Sequence, residues 1–263
     1  MTSSMHSLEA NSDPQVKTAG KNRDSWLPFT IVIPAHNEEN YLPDTLGRIL
    51  ATFEQLQYSG RIIVVNDAST DATREVASSF DVDVVDVELR NIGAVRNAGA
   101  KLCETPWIFF LDADTLLPAQ TLAAALDRLA DGVAGGGAAV EIDRTTKLSV
   151  LKWVMFYTIK IGWQSIGGWA AGCFMYCRRE AFESFGGFDE NFFAIEELFF
   201  SKSVAKKGRF VVVREPVITS ARKLEAYTTL ELLRFVTLPV TRPGTLFKSK
   251  VGLELLYDDS KSR

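Results

Sequence analysis

Histidine is nearly absent from this chain, with only His6 and His36 among 263 residues. A histidine-rich metal site and a Ser-His-Asp triad are thereby all but excluded, and catalysis has to rest on carboxylates supported by arginine and lysine. Cysteine is scarce too. Cys103, Cys173 and Cys177 are odd in number and carry no paired metal-ligand spacing, so they read as reduced core residues of a cytosolic protein. No run of about 18 uncharged apolar residues occurs, and the opening two dozen residues lack the apolar centre of a signal peptide. Residues 1–26 read as a disordered tail, and the expected location is cytoplasmic. Also missing are a G-x-G-x-x-G turn after the first strand and a G-x-x-x-x-G-K-[ST] loop, which removes the usual dinucleotide and P-loop folds. A net charge of -4 argues against nucleic acid as the main partner.

What is present is an ordinary globular composition, 46% hydrophobic and 24% charged, in a length that a single α/β unit commonly holds. The most informative stretch is Trp107-Ile108-Phe109-Phe110-Leu111-Asp112-Ala113-Asp114. Its apolar run reads as a strand buried on both faces, ending in two carboxylates. Residues two apart on an extended segment point the same way, so Asp112 and Asp114 are expected to converge on one cation or charged ligand. Mg²⁺ or Mn²⁺ already holding nucleotide phosphates would satisfy both; the bland alternative is that the triplet caps the next helix.

Strand-like and helix-like segments alternate through the first half. Phe29–Pro34 reads as a strand that the proline ends, residues 42–56 as an amphipathic helix, and Arg61–Val65 and Val82–Val87 as further strands. Such alternation predicts a parallel sheet with right-handed crossovers. Asn37, Glu38, Asp67, Arg96, Asp112 and Asp114 all fall at carboxyl ends of strands, the edge where open α/β sheets bind ligands.

Past residue 114 the alternation loosens. Leu117–Leu129 reads as helix, Val133–Ile142 as strand with Gly135-Gly136-Gly137 allowing close backbone packing, and Phe210–Val213 as a strand separate from Pro216–Ser220. Residues 148–161 form the most apolar stretch, expected as a core helix, with a membrane-surface or lipid-acceptor face as the alternative.

Five segments in order resemble the family 2 glycosyltransferases: Ile33-Pro34-Ala35-His36-Asn37-Glu38-Glu39, Val65–Asp71, Asn91–Gly99, Phe110–Asp114 and Gly186–Glu190. The resemblance spans about residues 29 to 223. It implies a GT-A fold: an α/β domain with a Rossmann-like, mostly parallel central sheet flanked by helices and a mixed acceptor-side half. Residues 27–263 would form that one domain, with a nucleotide-binding half at 27–115, an acceptor-binding half at 116–223 and a helical extension at 224–263. The resemblance further implies that Pro34, Ala35, Asn37, Glu38 and Asp67 hold the base and ribose of a UDP- or GDP-sugar, and that Arg96 lies near the nucleotide. Asp112 would face the donor and share the metal, Mn²⁺ or Mg²⁺, with Asp114. Trp169, Gly172 and Glu196 would line the acceptor side. The acceptor itself would be a carbohydrate or a lipid-linked group, reached by peripheral membrane contact through 148–161.

Two departures stand out. The family more often has Glu-Asp where this chain has Glu196-Glu197, and Ser220-Ala221-Arg222-Lys223 occupies the place of a metal-binding histidine found in some members. Arg222 and Lys223 would instead neutralise the leaving diphosphate. By resemblance Glu197 is the general base of an inverting transfer to an acceptor hydroxyl, and at an ordinary glutamate pKa of about 4.3 it is ionised at neutral pH. The alternatives are a retaining enzyme on the same fold and a noncatalytic nucleotide-sugar binding protein.

Overall fold

A computed structural model describes residues 28–143, 148–160, 162, 164, 168–192, 195–226 and 228–231. The expected tail at 1–26, and all of the expected extension beyond residue 231, lie outside the described residues. Four strands, β1 (Phe29–Ala35), β2 (Arg61–Asp67), β3 (Asp83–Val87) and β4 (Trp107–Leu111), alternate with α1 (Leu42–Leu56), α2 (Thr73–Ser78) and α3 (Ile92–Ala100). All four strands run parallel, β1 between β2 and β4. The second half adds β5 (Thr115–Leu116), α4 (Ala119–Ala130), β6 (Gly135–Ile142), α5 (Val150–Lys160), β7 (Phe174–Arg178), α6 (Arg179–Ser184), α7 (Glu196–Ala205), β8 (Phe210–Thr219) and α8 (Arg222–Ala226). One mixed sheet results, in the order β3-β2-β1-β4-β7-β6-β8-β5. The turn to mixed topology falls at β4, where β7 joins antiparallel.

Every residue of β1 and β4 is buried, as continuous apolar runs covered on both faces require. Period-two alternation divides them between two cores. Ile31, Ile33 and Phe109 pack with α1 and α4, while Val32, Ile108 and Phe110 face Phe182, Phe188 and Phe200. Phe110 meets the Phe188 ring edge-on at 5.0 Å, a contact that ties the end of β4 to the segment leading into α7.

Four local expectations need correcting. Pro34 does not end β1, which continues to Ala35 in register with β2. Pairing with β4 stops at Val32, so on that side the proline has no ladder bond to forfeit. Residues 210–219 form one strand, and Pro216 sits where its register with β6 shifts between Ala138 and Val140, a bulge that tolerates a missing donor. Asp112 and Asp114 leave the extended conformation: the Thr115 amide donates to the Asp112 carbonyl at 3.1 Å, closing a turn. Finally, α5 is not a core helix along its length. Phe156 packs on the core, but Val150, Leu151 and Val154 are 79%, 61% and 56% exposed. The glycine run does allow close approach, since a Cβ on Gly136 would lie 1.8 Å from the Val211 carbonyl oxygen.

Candidate active site

The carboxyl edge of the parallel strands is stiffened by side chains before any ligand is considered. Asn37, at φ 54, donates its backbone amide to Ser69 Oγ at 3.1 Å, while its Oδ1 accepts from the Thr70 amide at 2.8 Å. The Glu38 amide donates to Thr73 Oγ1 and the Glu39 amide to Asp71 Oδ2. The loop after β1 is thereby fixed to the loop after β2 through the Ser-Thr-Asp cluster. Pro34 and Ala35 are buried in β1 and bring backbone to this edge.

Asp67 has a more internal task than the one the sequence suggested. Its Oδ1 accepts the Leu89 amide at 2.7 Å, and its Oδ2 accepts the Arg90 amide at 2.9 Å. These bonds shape the 88–91 loop, and a carboxylate with about four lone-pair sites keeps acceptor capacity beyond them. Arg90 in turn donates to the His36 ring, whose Nδ1 also lies 2.6 Å from the Asp67 carbonyl oxygen. His36 and Arg90 were not singled out by the sequence reading. His36 lies within the first matching motif and Arg90 directly precedes the third, which was their only signal.

Arg96 is not free for a phosphate. Its guanidinium is 2% exposed, donating from Nη1 to Glu196 Oε1 at 2.6 Å and from Nη2 to Asp112 Oδ1 at 2.9 Å and the Gly172 carbonyl at 2.9 Å. Burial opposes its charge, but the two carboxylates outweigh that and hold its pKa above the ordinary arginine value. One guanidinium thus joins the end of β4, the Gly172 segment and the start of α7.

The residues expected on the acceptor side gather around this contact. A Cβ on Gly172 would lie 3.9 Å from both Glu196 Oε1 and Glu197 Cδ, so a bare backbone forms the floor beside both acids. Ser201 accepts from the Ala170 amide at 3.1 Å and donates to the Glu197 carbonyl at 2.7 Å, fixing the Trp169–Ala170 segment to α7. Lys202 Nζ lies 5.5 Å from the Trp169 ring centre. Ile195, which opens α7, has φ 59, a conformation that costs a β-branched residue about 1–3 kcal/mol. Glu197 does not have an ordinary pKa: burial and then the neighbouring Glu196 charge push it up to about 8.

Asparagines fasten this side to the parallel half of the sheet. Asn97 Oδ1 accepts the Phe188 amide and its Nδ2 donates to the Phe188 carbonyl, both at 2.9 Å. Asn91 caps α3 by accepting from the Ala94 amide and donates to the Glu190 carbonyl at 3.0 Å. The Asn91–Gly99 and Gly186–Glu190 motifs are therefore two halves of one clasp.

Asp114 lies beside Arg222, with Nε 3.1 Å from Oδ2, and the same guanidinium donates to Glu38 Oε1 and covers the Tyr41 ring at 4.4 Å. Lys223 follows in α8, but its side chain lies outside the described residues. Among the described residues no three or more histidine, cysteine or acidic side chains form a cage for a metal ion. A pair of carboxylates at a ligand edge is nonetheless the donor set by which Mg²⁺ or Mn²⁺ is held together with substrate phosphates. Asp112 and Asp114 fit a metal that arrives with a diphosphate.

A mixed sheet whose parallel half ends in a paired-carboxylate turn, with an acidic helix start facing it, defines the GT-A class of glycosyltransferase folds. Solved structures agree on that fold. A mannosyltransferase from Pyrobaculum calidifontis in complex with GDP-Man and Mn²⁺ matches with TM-score 0.60 and 20% identity, covering 79% of this chain and 59% of that one. Staphylococcus aureus TarS 1-349 in complex with UDP-GlcNAc matches with TM-score 0.58 and 16% identity, covering 88% and 71%. Residues 30–186 match the model of glycosyl transferase family 2, and the chain belongs to that family. Its curated relatives include an undecaprenyl-phosphate 4-deoxy-4-formamido-L-arabinose transferase of Pseudomonas fluorescens, 39% identical over 100 residues. Another is the glycosyltransferase GlyA of Streptococcus pneumoniae, 35% identical over 92 residues. The matches cover 35% and 33% of this chain but only 29% and 13% of those relatives.

Proposed function

We propose that the protein is an inverting glycosyltransferase that moves a sugar from a UDP- or GDP-sugar to a hydroxyl of a lipid-linked acceptor. The observation that carries this reading is the span of Arg96. Because one guanidinium touches both Asp112 and Glu196, the donor carboxylates and the acidic start of α7 lie within a few ångströms of the same reacting centre. The loops carrying Asn37, Glu38 and Asp67 hold the nucleoside, and Asp112 and Asp114 face the diphosphate. Bound there, Mg²⁺ or Mn²⁺ supplies positive charge to the departing diphosphate. Glu197, above the Gly172 floor, takes the acceptor proton as the oxygen attacks the anomeric carbon from the opposite face. Its elevated pKa suits a base working near neutral pH.

The lipid-linked acceptor is supported by the name of the Pseudomonas relative and by the apolar surface of α5, where Val150, Leu151 and Val154 are exposed. No helix among the described residues is long and apolar enough to cross a membrane, so contact through α5 would be peripheral. The test is a thermal-shift panel of nucleoside diphosphates with and without Mn²⁺, followed by transfer assays on lipid-linked acceptors that carry a free hydroxyl and proton NMR of the product anomer. A nucleotide at a hundred times its Kd should stabilise by about 2.7 kcal/mol. Retention of anomeric configuration would remove the single displacement from this reading.

A further inference from the structure

Arg222 stands in an unusual position for a residue assigned only to a leaving group. Its guanidinium donates to Glu38 on the loop after β1, lies 3.1 Å from Asp114 on the turn after β4, and rests 4.4 Å above the Tyr41 ring at the start of α1. Arg222, Glu38 and Asp114 side chains are 12%, 12% and 13% exposed, so this cation is largely desolvated. The two carboxylate contacts differ in kind. With Glu38 there is a hydrogen bond, whereas Nε faces Asp114 without the alignment of one. The backbone holds Arg222 in this place, because the Ser220 amide donates to the Asp114 carbonyl at 3.1 Å and Ser220 Oγ accepts the Arg222 amide at 3.2 Å.

We propose that Arg222 is an exchangeable counter-ion of Asp114: a divalent cation entering with the donor takes over Asp114, and the displaced guanidinium turns to the diphosphate. This rests on the donor-site reading above and adds to it an order of events. A metal ion on Asp114 and a guanidinium 3.1 Å from the same carboxylate would repel each other at short range in a partly dry cleft. A metal ion alone must therefore compete with Arg222. A metal ion accompanied by a diphosphate brings the anion that gives the guanidinium a better partner, and Arg is suited to it by its planar fork. Ser220, bonded to the Asp114 carbonyl and to the Arg222 amide, holds the start of α8, so the side chain swings while its backbone stays anchored. Metal and nucleotide binding should be strongly cooperative as a result.

Calorimetry with Mn²⁺ alone, and with UDP or GDP in the presence of Mn²⁺, tests the exchange through effects of opposite sign. Arg222→Gln should bind Mn²⁺ alone about fivefold to tenfold more tightly, the size expected for one partly screened charge pair, and should bind Mn²⁺ with the nucleoside diphosphate more weakly. Arg222→Lys keeps the charge and should stay near the wild type for Mn²⁺ alone. Unchanged or weaker Mn²⁺ binding by Arg222→Gln would overturn the exchange. A measurement on the wild-type chain needs no variant to fold: the ¹⁵Nε resonance of Arg222 should move when Mg²⁺ and the nucleoside diphosphate are both present. A resonance that stays in place with both ligands bound would overturn the proposal while leaving the donor site intact. If neither UDP nor GDP binds the wild-type chain with Mn²⁺, the donor-site reading falls and the exchange falls with it.

Discussion

Arg96 and Glu196, a hundred positions apart in the chain, are joined by a 2.6 Å charge-assisted hydrogen bond in the interior. The pair fixes the start of α7 against α3, and Asp112 shares the same guanidinium. Breaking such a buried pair from one side leaves an uncompensated charge. Glu196→Leu or Arg96→Leu should each destabilise by about 3–5 kcal/mol, and the double variant should recover much of that loss. Urea unfolding of the four proteins measures it; additive losses would mean that the two side chains do not act as a pair.

Gly187 tests the clasp between the two halves. It has φ 81, and a Cβ there would lie 2.6 Å from Asn97 Oδ1, whereas Gly132, at φ 84, has nothing within 4 Å of its would-be Cβ. Gly132→Ala should cost about 1–2 kcal/mol, the left-handed backbone alone. Gly187→Ala should cost clearly more and reduce transfer activity, because Asn97 has to release Phe188. Equal shifts in Tm for the two variants would detach the clasp from the site.

Much of the parallel half was legible because its signals are local. Continuous apolar runs gave β2 and β4, helical spacing gave α1, and polar residues clustered at strand ends. The same locality explains what was missed. Arg96 was expected near the nucleotide, and its partners Glu196 and Asp112 went unseen because tertiary packing recruits them, which no spacing rule records. Asp67, expected at the nucleotide, also accepts the Leu89 and Arg90 amides, bonds that no local pattern records. Period-two reasoning put Asp112 and Asp114 on one side of a strand, while a turn brings them to the edge. Pro216 divided β8 in the sequence because a proline reads as a break until a bulge is known to receive it.

Asp114→Asn removes charge from the diphosphate side while preserving shape. Donor binding with Mn²⁺ should weaken by at least tenfold, on the scale of about 1.4 kcal/mol per factor of ten, with little change in chelator. Isothermal titration in the two conditions decides it. Equal donor affinity with Mn²⁺ and with chelator for the wild type would take the metal out of the mechanism.

The pH dependence has a definite sign. Glu197 is pushed up to about 8 from an ordinary value of 4.5, so the folded state favours its protonated form. Its contribution to stability is complete below about 4.5 and is lost as pH rises through about 8. The base form gains over that same interval, so kcat/KM should rise with pH to a midpoint near 8. Glu197→Gln should flatten both the stability and the activity profiles; a surviving midpoint near 8 in that variant would assign the titration to another group.

The most direct test of the central claim is the turnover of Glu197→Gln measured at saturating acceptor beside its affinity for the nucleoside diphosphate. The substitution keeps the size of the side chain and removes the proton acceptor. The account predicts a fall in kcat of about 10²–10⁴ with nucleotide affinity nearly unchanged. Turnover at the wild-type rate would contradict it, and the proton would then have to leave by a route that does not pass through Glu197.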